Sequence, residues 1–502
     1  GIGKVEQAMN ADDAVRMLGK KAYSLVLCDY NLNHKTDGQQ LFEYLRENNL
    51  LAPDCLFFMV TAENSYASVA SATEHKPDAY LLKPITAGDV EERLKAQIEK
   101  RNVFQPVIER SSRGDLAGAV EACDAILARK DRWIVQALQH KGNLLLQLGR
   151  HEDARNVYLG ILEQRPNLMW AQLGLARANK AAGNYEEAKL VAYEILHTKE
   201  GEKNVAAYDV VAQSLEAQGE TQEAQWVLRD AATVVPSARR IRLMAEAAFR
   251  NGDLETAREG LMKVAKATKG SITAQPTDTL QLAQTLVDLG QAGEALALLD
   301  DGQSQYRHTP QFESVALAVR AQAQVKAGDM AGAQATAARA RANLRQGKAD
   351  FATIALAKAE LMTGNEEAGL KLLESAVAAD HENARVKQMI GNALKATGHE
   401  AQLARVVEAA TAGLNARVSD AKALFRNSDI DAALAAIEQA LKEFPENTGV
   451  LLQAAQMNCM SLRLKKQKNA AVVEWVRLSL SRLEKLMPGN DRVTQMQRYY
   501  RE

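Results

Sequence analysis

The sequence predicts two fold classes in series. A doubly wound α/β domain with a parallel sheet occupies residues 1–100, an all-α superhelical solenoid of helix-turn-helix repeats follows over 101–460, and capping helices close the chain over 461–502. Three observations predict this order. Short apolar runs near the start end in Asp29, Thr61 and Lys83. Glycine-type turns then recur at Gly114, Gly149, Gly183, Gly219, Gly252, Gly290, Gly328, Gly364, Gly398 and Ser428, with intervals from 30 (Gly398 to Ser428) to 38 (Gly252 to Gly290). That is the period of paired-helix repeats, about 35 residues. Apolar residues make up 47% of the chain but aromatics only 5%, so the apolar surface is mostly Ala, Leu and Val, suited to close helix packing.

Taken in order, Asn10 followed by Asp12 and Asp13 reads as a helix start, a cap with two acids in the first turn. Tyr23–Asp29 and Cys55–Thr61 read as buried parallel strands, and Ala79–Leu82 as a third that leads into Lys83-Pro84. The Lys83-Pro84 bond is a candidate cis peptide, because the cis penalty before proline is small. Asp37–Asn48, Ser65–Lys76 and Ala87 to about Arg101 read as the intervening and closing helices. In an open α/β sheet, polar residues at the carboxyl ends of adjacent strands converge on one crevice, where Asp29, Thr61 and Lys83 are expected to meet. A carboxylate that accepts a phosphoryl group needs a cation and hydrogen-bond donors for the oxygens, and Lys and Thr supply both.

Cys28-Asp29-Tyr30-Asn31-Leu32, then Asp37-Gly38, Val60-Thr61-Ala62 and Tyr80-Leu81-Leu82-Lys83-Pro84 stand in the order found in response-regulator receiver domains, which the first 100 or so residues resemble. The resemblance implies that Asp29 is the phosphoryl acceptor, Thr61 the hydroxyl that bonds the phosphoryl group, Lys83 its cationic partner and Tyr80 an aromatic switch. It also implies Mg2+ held by Asp29, the Asn31 backbone carbonyl and an acidic pair, and a bacterial sensor histidine kinase or phosphotransfer protein as donor. Two departures stand out. Leu32-Asn33 replaces the usual Met-Pro step with one residue more, and the acidic pair is absent, since Gly1 to Val5 read as the approach to the second strand. The first strand and helix are therefore expected to be missing. Magnesium is expected of a complete receiver rather than of this chain.

Five residues after each turn a small side chain recurs: Ala119, Ala154, Ala188, Ala224, Ala257, Ala295, Ala333, Gly369 and Ala433, with Leu403 the exception. Only a small residue lets the helices of a hairpin approach closely. The pattern resembles the tetratricopeptide repeat family. Its best copy runs from Val135 to about Gln164, with Gly142, Gly149, Ala154 and Tyr158, then Pro166; Pro236 and Pro445 fall at matching places. The resemblance implies a groove lined by first helices, and its positions correspond to Gln139, Asn143, Trp170, Arg177, Lys180, Arg239, Arg242 and Arg250. A basic middle suits an acidic peptide or protein segment.

The receiver's last helix runs towards Val103, Phe104, Val107 and Ile108 with no Gly/Ser-rich linker, so the two parts are expected to be mechanically coupled. A net charge of −1 gives no general drive towards nucleic acid or anionic membrane. Cys28, Cys55, Cys123 and Cys459 form no CxxC pair, and no apolar run approaches the ~18 residues of a membrane helix. No Walker loop, GxSxG elbow, HExxH pair or dinucleotide fingerprint is present, so an enzyme is not expected. Arg463–Lys468 and Leu478–Met487 read as a polar capping region. The reading is a cytoplasmic response regulator whose phosphorylation at Asp29 modulates protein binding by a repeat scaffold. Its alternatives are an unphosphorylated assembly scaffold with a vestigial receiver, and a transcription regulator.

Overall fold

The computed structural model describes residues 4–32, 36–52, 55–62, 77–307, 309–343, 350–380, 383–427, 429–445, 447–465 and 469–486, with Val493 and Met496. The expected helix Ser65–Lys76, the turn at Ser428, and Asn33 and Met487 lie outside these residues.

The N-terminal sheet has three parallel strands in the order β1 (Leu25–Asp29), β2 (Leu56–Thr61), β3 (Ala79–Leu82). Alternation along central β2 sorts its side chains to opposite faces. Phe57 and Met59 pack with Cys28 against α1 (Ala11–Lys20) and α2 (Gly38–Glu47). Leu56, Phe58 and Val60 face the other way, towards Val90 and Leu94 of α3 (Ala87–Ser112). Helices on both faces make the sheet doubly wound. Asn10 caps α1 as expected, accepting from the Asp13 amide, and Asp37 with Gln40 forms a capping box at α2.

Hairpins follow: α4 (Leu116–Ala128), α5 (Ile134–Gln147), α6 (His151–Gln164), α7 (Met169–Ala181), α8 (Tyr185–Leu196), α9 (Val205–Gln218), α10 (Thr221–Val234), α11 (Ala238–Asn251) and α12 (Leu254–Thr268). Each turn glycine from Gly114 to Gly398 has φ between 68° and 87°, the left-handed region glycine enters without a Cβ penalty. The small residue five positions on is fully buried wherever it is Ala. The receiver, α3 to α10, the first half of α11 and the end of α12 form one compact unit, Gly1–Met244 plus Lys263–Gln275. Its repeat core joins Phe104 and Val107 of α3 to Cys123, Ile126, Leu145, Tyr158 and Leu175.

The second unit comprises Ala245–Met262 and Pro276–Glu502. It continues with α13 (Pro276–Asp288), α14 (Ala292–Gln305), α15 (Pro310–Lys326), α16 (Met330–Asn343), α17 (Phe351–Met362), α18 (Glu366–Ala379), α19 (Ala384–Ala396), α20 (Leu403–Arg426), α21 (Ile430–Glu443), α22 (Thr448–Lys465) and α23 (Ala470–Leu486). Where Leu403 replaces the small residue the hairpin is irregular: a 3-10 turn over Glu400–Gln402 delays the helix, which then runs 24 residues. Since α20 packs on both α18 and α21, it serves two layers, which accounts for the short last interval.

Candidate functional site

Parallel pairing sets Asp29 opposite Val60 and Leu82 opposite Thr61, so the three strand ends lie side by side. Lys83 continues from β3, its amide donating to the Thr61 carbonyl at 2.8 Å. Its ammonium donates to Asp29 Oδ2, and the Asn31 amide donates to Oδ1 at 3.2 Å. Asp29 and Lys83 keep 39% and 44% of their side-chain surface exposed, so solvent reaches the carboxylate. Thr61 is buried at 1%. The Lys83-Pro84 bond is cis. Beside Asp29, burial pushes the Cys28 thiol up to about 12, with the Asp29 and Asp37 carboxylates adding to the effect, so this cysteine stays protonated.

Tyr80 lies half-buried against the α1/α2 side of the sheet, with Tyr30. Its hydroxyl has no hydrogen-bond partner among the described residues, and burial, followed by Tyr30 and Glu43, pushes it up to about 12. Among the described residues no three His, Cys, Asp or Glu side chains converge as a metal site. The magnesium set implied for Asp29 and the Asn31 carbonyl thus contains one carboxylate, already bonded to Lys83. By themselves these residues do not fit an octahedral magnesium ion, and no step below runs through one.

The groove positions fare unequally. Asn143 and Gln139 are exposed on α5, and Asn143 accepts from the Tyr158 hydroxyl at 3.1 Å. Trp170 meets Tyr158 edge-on at 6.4 Å between ring centroids. Arg177 and Lys180 are half-exposed on α7, Lys180 donating to Gln213. Arg242 departs from expectation: it is buried, and its guanidinium donates to the Thr273 carbonyl at 3.2 Å, so it braces the α12–α13 connector rather than an open groove. Arg239 pairs with the receiver's own Glu47 at 3.4 Å. Arg250, in the second unit, offers its carbonyl to the Asn392 side chain at 2.7 Å.

Sequence reasoning missed three groups. Arg240, one residue from the expected strip, is buried and grips Asp209 with both terminal nitrogens. Thr36, Ser271 and Ile272 join the receiver to the α12–α13 connector, and Glu47 joins it to Arg239 of α11. In the second unit, a cavity of about 380 Å³ lies between Phe249, Phe351 and Met389, with the buried Lys358–Asp288 pair on its wall. No local pattern marks these, because each partner lies tens to hundreds of residues away.

Two known families match parts of the chain. Residues 1–95 match the response regulator receiver domain, and residues 140–202 and 420–458 match the tetratricopeptide repeat. The chain therefore carries a receiver domain followed by tetratricopeptide repeats. Similar solved structures include a tetratricopeptide repeat protein from Parabacteroides merdae (15% identity, 59% of this chain and 98% of that one, TM-score 0.31). Others are the APC/C hetero-tetramer Cut9-Hcn1 (9%, 80% and 88%, TM-score 0.28) and a MamA RS-1 double mutant (19%, 35% and 95%, TM-score 0.29). Neither matched family is one of enzymes. No described helix is long and apolar enough to cross a membrane.

Proposed function

We propose that this signalling protein, a receiver on a protein-interaction scaffold, is a two-component response regulator in which phosphoryl transfer to Asp29 alters protein binding by the repeat array. The observation that carries the reading is the Lys83 ammonium on the exposed Asp29 carboxylate, at strand ends shared with Thr61. In the transfer, an Asp29 oxygen attacks phosphorus and forms an O–P bond. The N–P bond of a phosphohistidine donor breaks, and its electron pair returns to the imidazole. Lys83 and the Thr61 hydroxyl meet charge on the phosphoryl oxygens. The donor is a sensor histidine kinase or phosphotransfer protein, and the output is a protein or peptide segment bound by first-helix residues such as Asn143, Trp170 and Arg177.

Full-length protein treated with acetyl phosphate, with and without magnesium, tests this. Acid-stable, hydroxylamine-labile phosphate is expected on Asp29, and Asp29→Asn should remove it. Equal labelling of the Asp29→Asn variant would contradict the site, and no labelling in any condition would leave a scaffold with an inert receiver.

A further inference from the structure

The receiver touches the array at a place its chain connection does not require. Thr36 and Ser271, 235 residues apart, share a hydrogen bond at 2.8 Å, and Thr36 is buried there. Ile272 packs against the receiver core of Phe42, Leu45 and Phe57. Glu47, at the last turn of α2, pairs with Arg239 on α11. Burial raises the Glu43 carboxyl while the same Arg239 lowers it, so Arg239 faces two acids of one helix. On the array side the connector is itself braced: Ser271 and Thr273 hydroxyls lie 2.9 Å apart, and Arg242 holds the Thr273 carbonyl. This contact contains an apolar plug, a buried polar bond and a charge pair, the parts of a specific interface.

One end of α2 is fixed to the phosphorylation site. The Gly38 amide donates to the Tyr30 carbonyl at 2.7 Å, and a Cβ on Gly38 would stand 2.3 Å from the Asp29 carbonyl oxygen. The strand end and the helix start therefore move together. Tyr80, whose hydroxyl feels Glu43, lies in the same cluster as Ile272.

We propose that the outer face of α2 is the surface by which the receiver grips the array, and that the chemical state of Asp29 sets the strength of this grip. The second clause rests on the function proposed above; the first does not. With the grip closed, Glu43 and Glu47 occupy Arg239, so an acidic partner segment reaches that arginine only when α2 withdraws.

Hydrogen exchange at residues 269–275 of the full chain reads the grip. Glu47→Arg and Arg239→Glu should each speed exchange there about two- to fivefold, the range of a partly exposed pair, and the double swap should restore it. Acetyl phosphate should speed the same amides at least twofold (about 0.4 kcal/mol), with no response in Asp29→Asn. Acyl phosphate is quantified in the same samples. Unchanged exchange in both charge variants, or no recovery in the swap, would overturn the interface. Phosphate on Asp29 with no change at 269–275 would overturn its coupling, whereas absence of phosphate would instead overturn the proposed phosphoryl transfer to Asp29 and leave the interface standing.

Discussion

Two glycines make room for one ring. A Cβ at Gly142 would stand 2.5 Å from the Tyr158 ring, and one at Gly174 2.3 Å, so Tyr158 is buried between α5 and α7 because neither helix has a side chain there. Gly142→Ala should cost about 1–3 kcal/mol as an overpacked core site, seen as a lower midpoint for loss of helical signal in the full chain. An unchanged midpoint would show that Tyr158 does not need the space. Gly142 and Tyr158 were legible from their places in the repeat; Gly174 was not, since only the neighbouring repeat uses its vacancy. His140 gives a pH test. Burial, with Lys100 adding repulsion, holds it below the ordinary 6.5, and its ring stacks on Phe104 at 4.8 Å. The unfolded chain therefore binds the proton first as pH falls. The His140 contribution is fully present above about pH 6.5 and is lost as pH drops below it, so thermal midpoints should fall from pH 7.5 to 5.5 and fall less in His140→Gln. Equal slopes in both proteins would contradict this.

At the scale of elements, helices and strands followed from short-range signals: apolar runs ending in Asp29 and Thr61, the Asp37 cap, and glycine at nine left-handed repeat turns, whereas Asn49 and Lys130 take that conformation without glycine. Two elements escaped them. Helix α3 continues without a break from Ala87 to Ser112 because nothing between Arg101 and Val103 stops it, and Pro106 is accommodated inside it. The 24-residue α20 escaped because a repeat period assumes a hairpin at each interval, and Leu403 removes the close approach that makes one. At Gly38 the constraint is backbone rather than propensity. Gly38→Ala pushes a methyl group into the Asp29 carbonyl and should cut acetyl phosphate labelling of Asp29 at least tenfold, about 1.4 kcal/mol, while array helicity persists. Normal labelling would show that α2 does not position the acceptor.

For the whole molecule, composition and period gave the order of domains, and the strand ends gave the crevice. What they did not give is how the receiver meets the repeats, because Thr36–Ser271 and Glu47–Arg239 pair residues far apart in the chain, which no local pattern marks. The basic strip illustrates the limit: Arg239, Arg240 and Arg242 lie within four residues of one another yet serve a receiver acid, Asp209 and a connector carbonyl. On the function proposed above, phosphorylation of Asp29 is felt by the repeats, partly through the unbroken α3. This coupling is tested most directly by hydrogen exchange over residues 104–164 of the full-length protein with and without acetyl phosphate, in the native chain, in Asp29→Asn, and with a long Gly-Ser insertion at Asn102. Altered exchange in these hairpins is expected only in the phosphorylated native chain, with the insertion variant phosphorylated to the same extent but unresponsive there. Full phosphate incorporation with unchanged exchange over 104–164 in the native chain, or the same change with the insertion in place, would contradict it.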